Sequence, residues 1–192
     1  MKLKDEQYEH IKQTIADTFE YYDINCIPIN CFEMACKMGI KIRPYSTLTH
    51  NSKEKAIEYS MDGFSCQKDN DWYILYNDEK QNYGRINNTL MHEIGHFALG
   101  HTDSSGEEEE AEAKFFAKYA LAPPPLIHKI HNKLKIKITP NVIRDMFSIS
   151  DEAACNAYSY YKKWLKYGTI SPSEYDAKLT RLFELPAESY IQ

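Results

Sequence analysis

Residues His92-Glu93-Ile94-Gly95-His96 read H-E-x-x-H, a spacing that brings its two histidines together only if the segment is a helix. On a helix, residues four apart stack on one face, so His92 and His96 can point imidazole nitrogens at a single divalent ion. Glu93, next to His92, can reach a water on that ion and serve as general base. The flanking residues agree with a helix. Leu90, Ile94, Phe97 and Ala98 form an apolar stripe on a different face, Asn88 offers an N-cap and Gly100 a C-terminal stop. Such a helix anchors in a core while its histidines face a cleft.

The rest of the 192-residue chain is ample to build that core, either as one domain with an appendage or as two small ones. Net charge of −5 argues against nucleic-acid or membrane-surface binding as the main activity. No apolar run is long enough to span a membrane, and the charged start Met1-Lys2-Leu3-Lys4-Asp5 is not followed by the apolar core of a signal peptide. Five cysteines, Cys26, Cys31, Cys36, Cys66 and Cys155, match no C-x-x-C spacing. They are expected to be reduced, buried and small-hydrophobe-like, in a cytoplasmic protein.

Along the chain, Tyr8, Ile11, Ile15, Phe19 and Tyr22 predict an amphipathic helix over residues 4–22. Pro28 is expected to open a second helix that Gly39 stops, and Ile40 to Tyr45 alternates as a strand. Thr47 to Glu54 reads as a polar loop. Ala56–Cys66 and Trp72–Tyr76 read as a pair of strands joined by Lys68-Asp69-Asn70-Asp71. The fold class is therefore α+β: mainly helical, with a small three-stranded antiparallel sheet and a further helical segment at the C-terminal end. The division expected is residues 1–125 and 126–192, parted near Pro123-Pro124-Pro125.

A catalytic zinc normally takes three protein ligands and keeps an open position. The extended pattern H-E-x-x-H-x-x-G-x-x-H fails here, because Leu99 and Thr102 stand where it needs glycine and histidine. His101, five residues after His96, lies past the helix stop and suits a role behind the ligands or at the surface better than ligation. A glutamate on the next helix is the other source, with Glu110 and Glu112 the candidates. Four and seven residues on from Glu110 come Lys114 and Ala117, with Ala113 beside them, whereas Phe116 and Tyr119 follow Glu112 at matching offsets; small side chains let two helices close on one ion and favour Glu110. The acidic run itself, Glu107 to Glu110, suits a helix N-terminus.

Three blocks occur together and in order. Arg85-Ile86-Asn87-Asn88-Thr89-Leu90-Met91-His92-Glu93-Ile94-Gly95-His96-Phe97-Ala98-Leu99-Gly100-His101 resembles the R-x-x-x-T-L-x-H-E-x-G-H-x-x-L-x-H block of the ImmA/IrrE metallo-endopeptidase family. Glu110-Ala111-Glu112-Ala113-Lys114-Phe115-Phe116-Ala117 resembles its E-x-E-A-N-x-F-A block, and Pro28 to Ile42 its opening segment. The resemblance implies a minimal zincin domain over residues 1–125, with Zn²⁺ on His92, His96 and Glu110 and Glu93 as catalytic base. It also implies a cytoplasmic antirepressor whose partner is a helix-turn-helix repressor that it cleaves. Lys114 departs from the family's asparagine. The alternative is an interaction module that sequesters such a regulator without cutting it, although the intact Glu93 has no use in a pure binder.

Weaker signals complete the reading. Trp72–Tyr76 is expected as an edge strand that could take an extended substrate by strand addition. His128 and His131 are expected as a solvent-facing pair, with Lys129, Lys133, Lys135 and Lys137 as a local basic patch. Residues 138–163 resemble helix-turn-helix in outline, but Asp151 and Glu152 open its second helix and would repel phosphates. A core or partner-docking role is expected there, with no membrane partner and no direct nucleic-acid contact.

Overall fold

The computed structural model describes residues 2–79, 82–101 and 106–183. Helix α1, Asp5–Tyr21, buries Ile11, Ile15, Ala16 and Phe19 on one face. Helix α2 spans Cys31–Lys37 and starts three residues later than its proline suggests. The Asn30 side chain accepts hydrogen bonds from the amides of Phe32 and Glu33 and caps it, while Pro28 sits in a cis peptide ahead of the helix. Gly39, at φ +75°, turns the chain out of α2 and into strand β1, Lys41–Pro44.

The stretch expected as a loop forms a 3-10 turn at Tyr45–Thr47 and then helix α3, His50–Tyr59. Only Ala56 of α3 is fully buried, so the helix has no apolar stripe from which it could be read. Strand β2, Gly63–Lys68, consequently begins later than expected and pairs with strand β3, Asp71–Tyr76.

The sheet order is β1-β3-β2, and it is mixed rather than antiparallel. The β2–β3 hairpin is antiparallel, with Ser65 opposite Ile74, whereas β1 runs parallel to β3 with Ile42 opposite Ile74. A parallel pair needs a long crossover, and α3 supplies part of it. One consequence bears on the site. Strand β3, Trp72–Tyr76 included, is central and its amides are committed on both sides, so the edges are β1 and β2.

Helix α4, Tyr83–Ala98, carries the H-E-x-x-H segment. It starts two turns earlier than expected, capped by Asn82, whose side chain accepts from the Arg85 amide; Asn88 lies within the helix. Leu90 and Ile94 are fully buried, as their stripe requires. Helix α5, Glu107–Leu121, crosses α4, and helix α6, Pro124–Leu134, follows at once. Helices α7, Pro140–Phe147, and α8, Asp151–Trp164, are capped by Thr139 and Ser150, as their sequences indicate. Helix α9, Glu174–Leu182, completes the described chain.

One hydrophobic cluster runs from Leu3 to Phe183. Phe19 of α1 meets Phe183 edge to face, and Lys178 of α9 pairs with Asp17 and Glu20 of α1. Buried Asp176 accepts from the Tyr119 hydroxyl and from Trp164 Nε1. The division expected after residue 125 falls in the first turn of α6, and residues 184–192 of its second part lie outside the described residues.

Gly84 fixes α8 against α4. A Cβ there would lie 2.6 Å from the Ser150 amide nitrogen and 2.7 Å from the Ile149 carbonyl carbon, both backbone atoms that cannot swing aside. We expect Gly84→Val to lower the unfolding free energy in urea by about 1–3 kcal/mol, the usual cost of forcing a side chain into a filled space. Unchanged stability would mean that the two helices are not held at this contact.

Candidate metal centre

Helix α4 places His92 and His96 one turn apart, and α5 lays Glu110 across them. The two Nε2 atoms are 3.2 Å apart. Glu110 Oε1 lies 3.3 Å from His96 Nε2, and Glu110 Oε2 lies 3.5 Å from His92 Nε2. Zinc bonds of about 2.0–2.1 Å in a tetrahedron imply ligand-to-ligand edges of about 3.3–3.4 Å. The three donors thus already sit at the spacing of one tetrahedral face. His92, His96 and Glu110 form a group that can hold a metal ion.

The helices can approach this closely because α4 has glycine at the crossing. A Cβ on Gly95 would lie 3.0–3.1 Å from the Phe116 side chain, which occupies that space instead. Ala113 and Ala117 of α5 are buried along the same helix.

Burial sets the protonation of the site. It pulls His92 down to about 4, with the neighbouring His96 ring acting in the same direction and the Glu110 charge opposing. Burial also lowers His96, again opposed by Glu110. Both rings are therefore neutral near pH 7, the form in which imidazole binds a metal. Glu93 is 7% exposed, and burial raises its pKa. The Ser65 hydroxyl, which donates to Glu93 Oε2 at 2.7 Å, acts against that rise, and the Glu110 charge adds to it.

His101 does not join the trio. Gly100 adopts φ +72° and ends α4 in a Schellman turn, with Gly100 N bonded to Phe97 O and His101 N to His96 O. This folds the His101 ring back behind His96, where the two Nδ1 atoms are 3.0 Å apart. His101 Nε2 then meets Glu112 Oε2 at 3.0 Å, and Glu112 Oε1 accepts from Gln7 Nε2 at 2.8 Å. The two glutamates weighed in the sequence are thus separated: Glu110 faces the histidine pair and Glu112 faces His101. With an ion on His96 Nε2, one tautomer set satisfies every contact. His96 Nδ1–H donates to His101 Nδ1, and His101 Nε2–H donates to the Glu112 carboxylate.

Lys114, where the resemblance leads one to expect asparagine, lies one turn from Glu110 with Nζ 3.6 Å from Oε2. Around the trio opens a cleft of about 480 Å³, walled by Tyr59, Phe64 and Ser65 on one side and Lys114 on the other. Sequence reasoning missed Ser65 and Gln7. A lone serine in a strand and a glutamine on a remote helix carry no local signal, and only the folded chain brings them here.

The secondary signals resolve differently. His131 is exposed and its Nδ1 meets the Ile136 carbonyl, but His128 is half-buried, against Tyr161 and Trp164. Lys129 belongs to no surface patch, because its ammonium donates to the carbonyls of Thr180 and Phe183 at the end of α9. Of the five free cysteines only Cys31 is buried; Cys66 is half-buried and Cys26, Cys36 and Cys155 are exposed. Among the described residues no helix is long and apolar enough to cross a membrane.

An H-E-x-x-H helix, a glutamate from the next helix and a small sheet beside them define the architecture of a metallopeptidase. The chain matches the IrrE N-terminal-like domain, Peptidase_M78, over residues 37–159, more than half its length, and it belongs to that family. A search of curated proteins gave no match.

If this geometry holds the ion, Glu110→Ala will lose stoichiometric zinc in a chelator-competition titration. Glu112→Ala will retain one zinc at saturation with an affinity about 10- to 100-fold weaker, the usual effect of removing a partner behind a ligand. Wild-type zinc affinity in Glu110→Ala would overturn the arrangement.

Proposed function

We propose that the chain is a zinc-dependent endopeptidase that cleaves a cytoplasmic helix-turn-helix repressor. In this reading His92, His96 and Glu110 hold the ion and Glu93 is the general base. The observation that carries it is Glu93 itself: a buried carboxylate beside the trio, lining the same cleft and oriented by Ser65. A binder that only sequesters its partner has no use for such a group.

Two imidazoles and one carboxylate suit zinc, which would polarise the scissile carbonyl and lower the pKa of an attacking water towards about 7. The chain's own residues do the rest. Glu93 takes the proton from the water as its oxygen bonds to the carbonyl carbon. The C–N bond then breaks, and Glu93 returns the proton to the departing amine nitrogen. Its raised pKa suits both halves of that transfer, since a base of higher pKa binds the proton better and still releases it to an amine. Ser65 occupies Oε2 and so leaves Oε1 for the exchange.

Edge strand β2 supports a polypeptide substrate. Its outer edge borders the cleft at Phe64 and Ser65, where an extended segment can add as a further strand. The repressor as substrate and the cytoplasmic setting rest on the family resemblance, and the free cysteines accord with a reducing compartment.

The test mixes the purified protein with candidate helix-turn-helix repressors, with and without zinc. We expect zinc-dependent cleavage that Glu93→Gln reduces by about 10²–10⁴-fold, with zinc content and repressor binding retained. Binding by the wild-type protein without cleavage would contradict the proposal.

A further inference from the structure

The cleft around the metal site does not close at Lys114. A second cavity of about 720 Å³ adjoins it, and the two share Asp62, Asn88, Thr89 and Lys114 in their walls. The floor is continuous for a simple reason. Asn88 and Thr89 stand four residues before His92 and Glu93 on α4, so the helix face that carries the site runs back into the second cavity. Its far wall is the start of α8, from Ser150 to Ala157.

That wall is fixed in place. Gly84 brings the α4 backbone against Ile149 and Ser150, as described above, and the Ser150 hydroxyl caps α8 by accepting from the Ala153 amide. Arg85 reaches from α4 to grip Asp62 at 2.7 Å, which ties the approach to β2 to the same end of the groove. Three segments distant in sequence thus converge: the entry to β2, the first half of α4 and the first two turns of α8.

We propose that this continuous groove holds an extended stretch of the polypeptide substrate on one side of the scissile bond. The first turns of α8 then act as a specificity wall, with Asn156 exposed one turn beyond the exposed Asp151 and Glu152. The proposal rests on the endopeptidase reading above. Lys114, Lys118, Glu152 and Asn156 give the lining polar groups of both charges, and Leu121 and Ala157 add apolar surface between them. Such a lining suits an extended segment, whose main-chain amides and side chains of either kind find partners along it. The helix pair whose order suggested nucleic-acid binding therefore serves the peptidase groove.

The experiment uses a sequence that the protein is found to cut in a peptide library, synthesised around the scissile bond at two lengths. One peptide has roughly four residues and the other roughly twelve, about 13 and 40 Å when extended. For the wild-type protein we expect kcat/KM on the long peptide to exceed that on the short one by about tenfold or more. In Asn156→Trp, which fills the second cavity from an exposed position, that ratio falls to near one, through KM, with zinc content unchanged. Asn156→Arg gives the same result should the tryptophan variant not fold. A ratio in these variants equal to that of the wild type would overturn the proposal, as would a wild-type ratio near one. If the wild-type protein cuts no peptide of the library, the endopeptidase reading fails first and this inference with it.

Discussion

The crossing of α4 and α5 is the contact on which the site depends. Gly95 is a poor residue for a helix interior, costing about 1 kcal/mol relative to alanine, yet it stands at the centre of the H-E-x-x-H segment. Phe116 lies where its side chain would be. Without that substitution of ring for methyl the helix axes would move apart. Glu110, which reaches His92 and His96 at 3.3–3.5 Å, would then lose the trio's spacing. The helix that presents the histidines and the helix that presents the carboxylate are one packing unit.

Behind that unit runs a line of polar contacts from Gln7 through Glu112 and His101 to His96. Each link lies on a different element: α1, α5, the Schellman turn after α4, and α4 itself. The line orients the His96 ring and places the Glu112 carboxylate behind His101, so the imidazole that faces the cleft is electron-rich and has one tautomer to adopt. Burial meanwhile keeps both cleft histidines neutral and raises Glu93. Burial therefore prepares ligands and base together, with Ser65 of β2 holding the base.

Much of this was legible in the sequence, and the reasons differ by element. Helix α4 announced itself because its apolar stripe and its histidines fall on separate faces. Glu110 stood out from Glu112 because alanines follow it along the helix. Helix α3 was invisible because it buries little more than Ala56, and with it went the parallel pairing of β1 and the central place of β3. The Asn82 cap was overlooked because Asn88, equally suited by type, lies nearer the motif. The part played by His101 depends on a positive φ at Gly100, which its sequence permits but does not compel. Ser65 and the α8 wall arise only from tertiary contact.

Two imidazoles and one carboxylate can hold an ion, while His101 stays behind His96. X-ray absorption at the zinc edge of the loaded protein distinguishes this ligand set from its alternatives. We expect a first coordination sphere of nitrogen and oxygen at about 2.0–2.1 Å, with multiple scattering from two imidazoles and no sulfur. Scattering from three imidazoles would put His101 on the ion and contradict the arrangement, and a sulfur shell near 2.3 Å would contradict it altogether.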